Sequence, residues 1–434
     1  MMDILNECLT RIEKAGGMYG APLWLIEEFE NPKDVVEMKV RAVTHNGKEN
    51  FDAVRVLQTN PYPTGDQHPF KGGWRYMSYP SHSAMIKAMR ALAIDMNLKI
   101  ALTGLPFGGS KGCLNIDPSR YTFDEREAIT KELVFEMLCR NILGPYIDVP
   151  GPDYGTSSEE MKWMYIAYGR HNQLLHRPNP AAVVTGKPID YDGIPGREDA
   201  TARGGLIVFQ EIVKLHTDYR VAIQGYGNVG RNACKLLQEE NYWKSGTIVA
   251  VTDAKGGVYN PKGILFIDLD AYYRKNGTFA KCPLGDFIRP DEITEAGEYD
   301  LFITAAKEGL LNIKNAPELK ARYLLELGNA AITTEAEHVL LDRGIEVIPD
   351  ILANPGGVIV SSLEWRKNLG DSIHAVDMNY MEQWVHNTLA VILKQAVRTV
   401  VNACKQTNSD LRTAAHVVAL QKLEYLLRMK HGYQ

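Results

Sequence analysis

Three lysines, one aspartate and one glycine-rich turn are the residues of this sequence best suited to chemistry. Lys71 sits in Phe70-Lys-Gly-Gly-Trp-Arg75, Lys99 closes Asp95-Met-Asn-Leu-Lys99, and Lys111 lies in Leu105-Pro-Phe-Gly-Gly-Ser-Lys-Gly112. A lone lysine belongs on the solvated surface. Two of these, however, are flanked by glycine pairs, which strip away side-chain bulk and let backbone approach a ligand. Three cations converging on one pocket would suit a small molecule with two carboxylates. Asp148-Val-Pro-Gly-Pro-Asp153-Tyr-Gly supplies a carboxylate in a rigid Pro/Gly turn, a segment that standing alone reads as an Asx turn or helix cap. Asn354-Pro-Gly-Gly-Val-Ile-Val-Ser361 presents two polar side chains around a further glycine pair.

Gly225-Tyr-Gly227-Asn-Val-Gly230 matches G-x-G-x-x-G. The pattern gains weight from its setting: it follows one expected strand and opens a helix, and Asp253 ends the next strand. A tight turn of this kind lets backbone N–H groups at a helix N-terminus meet a pyrophosphate. Asp253 comes somewhat later than usual, which a longer helix accounts for. A carboxylate there favours a ribose 2′-hydroxyl and repels a 2′-phosphate, so NAD is expected, while Lys255 leaves NADP open. Gly104–Gly112 does not qualify as a phosphate-binding P-loop, because Lys111 is followed by Gly112 rather than by Ser or Thr.

The elements that must carry these residues are legible in part. The chain begins with a helix, and the spacing predicts strands over Val35–Val43 and Phe51–Leu57, joined by a turn at His45-Asn46-Gly47-Lys48. Asn60–Gly73 reads as a Pro/Gly-rich loop. A helix near Ser83–Met96 buries Met85, Met89, Leu92, Ala93 and Met96 on one stripe, and a second spans Phe123–Cys139 behind the N-cap Thr122. The Gly-, Pro- and Asp-rich Thr185–Asp199 marks the passage between two domains. Beyond it come a helix (Ala200–Leu215), a strand (Tyr219–Gln224), a helix (Val229–Glu240) and a strand (Thr247–Thr252), an alternation expected of a parallel sheet. Further strands are expected at Leu301–Thr304, Tyr323–Leu327 and Glu346–Ile348, and helix after Trp365.

The chain has 434 residues, 45% hydrophobic and 23% charged, with 37 glycines and a formal net charge of −5. That composition is globular and too long for one ordinary domain. Mixed charge without a basic stripe argues against nucleic acid and membrane surfaces as partners. The N-terminus has no signal pattern, and no continuous apolar run reaches 18 residues. Six scattered cysteines suit neither a zinc site nor a disulfide framework and fit a reducing, cytoplasmic setting. His171 and His176 fall on different helix faces, so no metal site is expected. Cys113 beside Lys111 reads as a small packing residue rather than a redox switch.

In order along the chain, KGGWR, the spaced Lys99, LPFGGSKG, DVPGPDYG, TGKP, GYGNVG, VTDAKGGVYNPKG, VIPDILANPGGVIVS and the following EW resemble the glutamate/leucine/phenylalanine/valine dehydrogenases. The match runs from about Lys71 to Asn368, and more diffusely to both ends. The resemblance implies an α/β fold of two domains, a mixed-sheet substrate and assembly domain and a Rossmann-type dinucleotide-binding domain, with a cleft between them. Residues 1–190 and 365–434 would form the first, and 191–364 the second. It implies Lys111 as the catalytic lysine, which activates water and polarises the carbonyl, and Asp153 as the acid/base serving the amino nitrogen. Lys99 would clamp the α-carboxylate, Asn354 would bond the amino-acid end, and Lys71 with Ser361 would hold a side-chain carboxylate. Gly225, Gly227, Asn228, Val229, Gly230, Asp253, Thr201 and Asn329 would serve the coenzyme.

Because the branched-chain and aromatic enzymes replace that first lysine with an apolar residue, the expected reaction is reversible NAD- or NADP-dependent oxidative deamination of L-glutamate. Its products are 2-oxoglutarate and ammonium, with hydride passing from Cα to the nicotinamide by way of an imine and a carbinolamine. The assembly expected from the family is a homo-oligomer, a hexamer. The sequence departs from the family in the longer segments around Lys71, in Trp74, Gly151, Cys113 and Pro355, and in Leu327-Gly328-Asn329. Those departures surround the pocket and keep another amino-acid substrate as an alternative. A catalytically silent nucleotide-binding paralogue is a further alternative, against which the retention of Lys111 and Asp153 argues.

Overall fold

The computed structural model describes residues 4–63, 68–175, 180–214, 218–239, 246–306 and 308–432. Helices α1 (Ile4–Tyr19) and α2 (Leu23–Glu30) lead into a hairpin, β1 (Asp34–Thr44) and β2 (Gly47–Leu57). There follow β3 (Phe70–Tyr76), α3 (His82–Thr103), β4 (Gly108–Leu114), α4 (Phe123–Cys139), β5 (Asp148–Pro152) and α5 (Ser158–Leu175). The strands make a mixed sheet in the order β1-β2-β4-β3-β5, antiparallel as far as β4 and parallel from β4 to β5.

Local signals set the helix ends. Ser81 accepts from Ala84 N at the start of α3, and left-handed Gly104 (φ 69°) ends it. Thr122 and Glu125 close a reciprocal capping box on α4. The methionine stripe of α3 lies against Val54, Val56 and Cys113 on one face of the sheet. Residues of α4 and α5, among them Leu133, Met137 and Met161, cover Val40, Trp74 and Leu114 on the other.

Two segments read as turns are strands. Phe70–Gly73, placed in the loop from Asn60 (residues 64–67 lie outside the described residues), opens β3, and the Pro/Gly turn before Asp153 is β5. Central strands buried on both faces have no alternating pattern to betray them. The glycines are there for close approach: a Cβ on Gly72 would overlap the Ser110 carbonyl of β4.

The second half comprises α6 (Ala200–Val213), β6 (Tyr219–Gln224), α7 (Asn228–Glu239), β7 (Gly246–Thr252), β8 (Gly257–Tyr259), α8 (Phe266–Asn276), β9 (Asp286–Ile288) and β10 (Tyr299–Thr304). It continues with β11 (Ala321–Glu326), α9 (Thr334–Asp342), β12 (Glu346–Ile348), α10 (Asp350–Ala353), α11 (Gly356–Asn368), α12 (Met378–Thr407) and α13 (Leu411–His431). Its sheet runs β12-β11-β10-β6-β7-β8-β9, parallel from β12 to β7 with antiparallel β8 and β9. This is the expected Rossmann-type alternation; the expected helix ends at Leu215 and Glu240, like His176, lie outside the described residues. Helix α12 packs on α6 and α11, and α13 packs on α1 and α3, so the C-terminal helices brace both halves. No helix among the described residues is long and apolar enough to cross a membrane.

Candidate active site

The cleft wall on the first domain is built from β3, β4 and β5, pinned from behind by a buried ion pair. Arg55 of β2 bonds Asp148 of β5 through Nε (2.7 Å) and Nη2 (2.8 Å), and also reaches the Gly73 carbonyl and Ser110 Oγ. With both partners fully buried, removing either would leave an uncompensated charge. On this frame Lys111 of β4 pairs with the carboxylate of Asp153, which lies just past β5. Arg75 of β3 donates from Nε to the other oxygen of Asp153 (2.6 Å). Asp153 Oδ1 also accepts from Tyr154 N (2.7 Å), and Gly73 makes room, because a Cβ there would lie 2.5 Å from the carboxylate.

Two cations thus share one carboxylate. Burial works against ionisation of Asp153, but Arg75 and Lys111 outweigh it and hold the carboxyl well below its ordinary value. Burial also pushes the Lys111 ammonium down; Asp153 opposes that, and Arg75 adds to it. The resting pair therefore holds an ionised carboxylate beside an amine that gives up its proton more easily than a surface lysine. Cys113, two residues along, is buried with its thiol pushed up to about 12 by that burial, which makes it unreactive.

Lys99 lies on α3 and is nearly fully buried. Its ammonium pairs with Asp95, one helical turn back, and donates to Asn329 Oδ1 at 2.7 Å across the cleft. Asn354 donates to the same oxygen (3.0 Å) and to the Leu327 carbonyl (3.2 Å). Lys99 and Lys111 lie within Coulomb range of each other, whereas Lys71 faces Arg197. By the charged groups around them, the three lysines therefore fall into two sets.

The second group lies deeper. Lys71 is 2% exposed and has no hydrogen bond or ion pair among the described residues. Burial lowers its pKa to about 7, helped by the neighbouring charges of Arg197 and Arg55 and opposed by Asp148 and Glu364. Arg197 donates from Nε to Ser361 Oγ (3.2 Å), so Lys71, Arg197 and Ser361 mark one end of the pocket. Thr185 Oγ1 is fully buried without a partner among the described residues. A Cβ on Gly151 would lie 3.2 Å from Lys71 Nζ and 3.3 Å from that hydroxyl. Just behind, Lys187 and Glu364 form a fully buried pair at 2.7 Å, and Glu364 also accepts from Gly186 N, joining the TGKP and EW segments.

Across the cleft, Gly225 ends β6 where the strand order reverses between β6 and β10, the usual ligand crevice of such a sheet. Gly225 has φ +104°, and a Cβ there would meet Ala305 O at 2.7 Å. A Cβ on Gly230 would overlap the Gly225 carbonyl, while one on Gly227 would meet nothing within 4 Å. Asn228 and Val229 begin α7, and Thr201 stands on α6 beside Gly357. Along the same sheet edge, Gln224 Oε1, Thr252 Oγ1 and Thr304 Oγ1 are buried with no partner among the described residues. Open backbone at Gly227 together with orphaned polar atoms fits a polar dinucleotide. Asp253 is placed at the end of β7 and is partly committed: Oδ1 accepts from Lys255 N and Gly256 N, and Oδ2 from Phe279 N at 2.7 Å.

Sequence reasoning gave no role to Arg75, Arg197 and Glu308. Arg75 shares the strand period with Lys71 and Gly73, which was a usable signal. Arg197 and Glu308 lie in irregular segments with no pattern to mark them.

Residues 32–170 match the Glu/Leu/Phe/Val dehydrogenase dimerisation domain, and residues 193–430 the Glutamate/Leucine/Phenylalanine/Valine dehydrogenase domain. The chain is 35% identical to glutamate dehydrogenase of Thermotoga maritima over 440 residues, covering 99% of each. Among solved structures it resembles the hetero-hexameric glutamate dehydrogenase of Thermus thermophilus in a leucine-bound form, with TM-score 0.88 and 28% identity over 98% of this chain and 97% of that one. It also resembles glutamate dehydrogenase from Peptoniphilus asaccharolyticus, with TM-score 0.80 and 26% identity over all of both chains. On both the matched residues and the shared architecture, the chain belongs to the glutamate/leucine/phenylalanine/valine dehydrogenases, amino-acid dehydrogenases that use a nicotinamide coenzyme, and stands close to glutamate dehydrogenase.

Proposed function

We propose that this protein catalyses the reversible NAD(P)-dependent oxidative deamination of L-glutamate to 2-oxoglutarate and ammonium. The observation that carries the reading is the pairing of buried Lys71 with Arg197 beside Ser361, separated from Lys99. Neither cation makes an ion pair among the described residues, because the nearby Asp148 and Glu364 are committed to Arg55 and Lys187, and such cations are costly unless a ligand supplies a counter-charge. A distal carboxylate does so, while Lys99 takes the α-carboxylate and Asn354 the amino-acid end.

Between those ends the residues divide the proton work. Ionised Asp153 takes a proton from the α-ammonium and later returns it to the departing nitrogen. Lys111, as the free amine, takes a proton from the water that adds to Cα, and as the ammonium polarises the carbonyl in the reverse direction. A bound nicotinamide would supply the two-electron chemistry, as the acceptor of hydride from Cα. Gly225, Gly227, Asn228, Val229 and Gly230 would cradle its pyrophosphate, and Thr201 and Asn329 would lie along the nicotinamide half. Asp253 supports NAD over NADP through its carboxylate at the end of β7.

The substrate and assembly domain takes in residues 1–190 and 365–434, the coenzyme domain 191–364, and the enzyme is a cytoplasmic homo-hexamer. The hetero-hexameric Thermus relative supports the number of subunits, not that they are identical, and six free cysteines support the compartment. The test is oxidation of NADH and NADPH with ammonium and a panel of 2-oxo acids. Absence of a 2-oxoglutarate-dependent rate would overturn the reading. A second reading, another amino-acid substrate, draws on Gly151, whose missing Cβ leaves space beside Lys71 and the unpartnered Thr185 hydroxyl. Preference for an uncharged 2-oxo acid in the same panel would favour it.

A further inference from the structure

The turn that carries Asn329 holds an unfavourable backbone. Ala330 has φ +46°, a left-handed conformation that a residue with a side chain adopts only when its surroundings impose it. Two carboxylates impose it here. Asp350 Oδ2 accepts from Ala330 N (2.9 Å), and Glu326 Oε1 accepts from Ile332 N (3.0 Å). Both acids converge on one guanidinium from the C-terminal helix α13. Arg412 Nη1 bonds Asp350 Oδ1 (2.9 Å), Nη2 bonds Glu326 Oε2 (2.6 Å), and Nε bonds Glu337 Oε1 (2.6 Å). Arg412 is 4% exposed, and Glu326 and Asp350 are buried with it. Nothing in the proton chemistry described above uses this cluster, yet it sits directly behind the residue that bridges Lys99 and Asn354.

We propose that Asp350, anchored by Arg412, is a positioning residue that fixes the Asn329 turn and so sets Lys99 for the α-carboxylate of the substrate. It rests on the reading of Lys99 as the α-carboxylate clamp. The turn is not held by its own sequence, because Ala330 disfavours the required φ and the Asn329 side-chain oxygen is occupied by two donors from elsewhere. The clamp comes instead from Asp350, 20 positions along the chain from Ala330, and from Arg412, a further 62 positions on. Since Arg412 belongs to a helix packed on α1 and α3, the same contacts register the turn against the helix that bears Lys99. Only the pairing of turn and helix brings Asn329 Oδ1 to the ammonium.

A double-mutant cycle tests this. Asp350→Asn keeps the size but places an amide where two donors, Ala330 N–H and Arg412, need two acceptors. It should raise KM for the 2-oxo acid about tenfold with kcat changed far less, the signature of lost binding rather than lost chemistry. In an Asn329→Ala background it should add clearly less than in the wild type, because only the direct attraction between the Asp350 carboxylate and Lys99 remains to be lost. Ala330→Gly, which adopts positive φ without strain, should recover part of the loss when combined with Asp350→Asn. A lowered melting temperature with unchanged KM, additive effects of Asp350→Asn and Asn329→Ala, or no recovery by Ala330→Gly would overturn the proposal. Should Asp350→Asn fail to fold, Arg412→Lys goes through the same cycle. Calorimetric dissociation constants for 2-oxoglutarate are measured alongside rates. If the wild type turns over only a different 2-oxo acid, the glutamate reading fails, and the cycle is run with that acid because it carries the same α-carboxylate.

Discussion

Arg75 donates to Glu308 at 2.8 Å across the mouth of the cleft, tying β3 to the segment that follows β10 in the other half of the molecule. The same guanidinium holds Asp153 through Nε, so one side chain spans the cleft and grips the carboxylate proposed as the acid/base. Closure gates turnover in enzymes that must exclude water. Glu308→Gln keeps the shape but weakens a charge-assisted bond by about 1 kcal/mol. Steady-state kinetics should then show kcat/KM falling about fivefold, through KM more than kcat. Unchanged kinetics would separate this bond from closure.

Asp153→Asn removes the carboxylate that pairs with Lys111 among the described residues, and with it the proposed proton acceptor. The expected loss in kcat is about 10²- to 10⁴-fold, with coenzyme affinity retained. Coenzyme titration by fluorescence and a 2-oxoglutarate assay give both readings. Activity close to wild type would displace Asp153 from its role.

Lys71 carries a pH signature. Its pKa falls from the model-peptide 10.5 to about 7 through burial first and then its cationic neighbours. Between those values the unfolded chain holds the extra proton, so this residue's contribution makes the unliganded protein more stable as pH rises from about 7 toward 10, and its penalty is complete below that window. Binding a distal carboxylate restores the ammonium. KM for 2-oxoglutarate should therefore rise with pH above about 7, while KM for a 2-oxo acid lacking that carboxylate rises less. Lys71→Met should remove the difference between the two profiles. Parallel profiles in the wild type would contradict the assignment of Lys71 to the distal carboxylate.

Gly356 permits the contact between α6 and α11, because a Cβ there would overlap the Ala200 carbonyl. Gly356→Ala should cost about 1–3 kcal/mol by overpacking. Gly357→Ala, whose Cβ would meet only Thr201 Oγ1 at 3.1 Å, should cost less. Denaturant unfolding of the two variants measures the order; equal stability would mean that the helices move apart freely.

The coenzyme half was more legible in the sequence than the substrate half, for a physical reason. Strands β6 and β12 and the start of α7 follow from short apolar runs bounded by turn residues, signals local to a few positions. Strands β3, β4 and β5 carry no such apolar run, since close approach of neighbouring backbone replaces apolar side chains with glycine. Their residues were readable as special, while their being strands was not.

The sequence by itself determined which groups are available: Lys71, Lys99, Lys111, Asp153, the fingerprint glycines and Asp253, each marked by its immediate neighbours. Only the tertiary structure decided how they are divided and held. It split the lysines into two groups, placed Arg197 at Ser361, and drew Glu308 to Arg75 across 233 positions of chain. It also let Arg412 brace the Asn329 turn through Asp350. Turn chemistry and periodicity are written over a few residues, where steric limits on φ and ψ act. Charge pairing across a cleft depends on which distant segments the folded core brings within a few ångströms, and no local pattern records that.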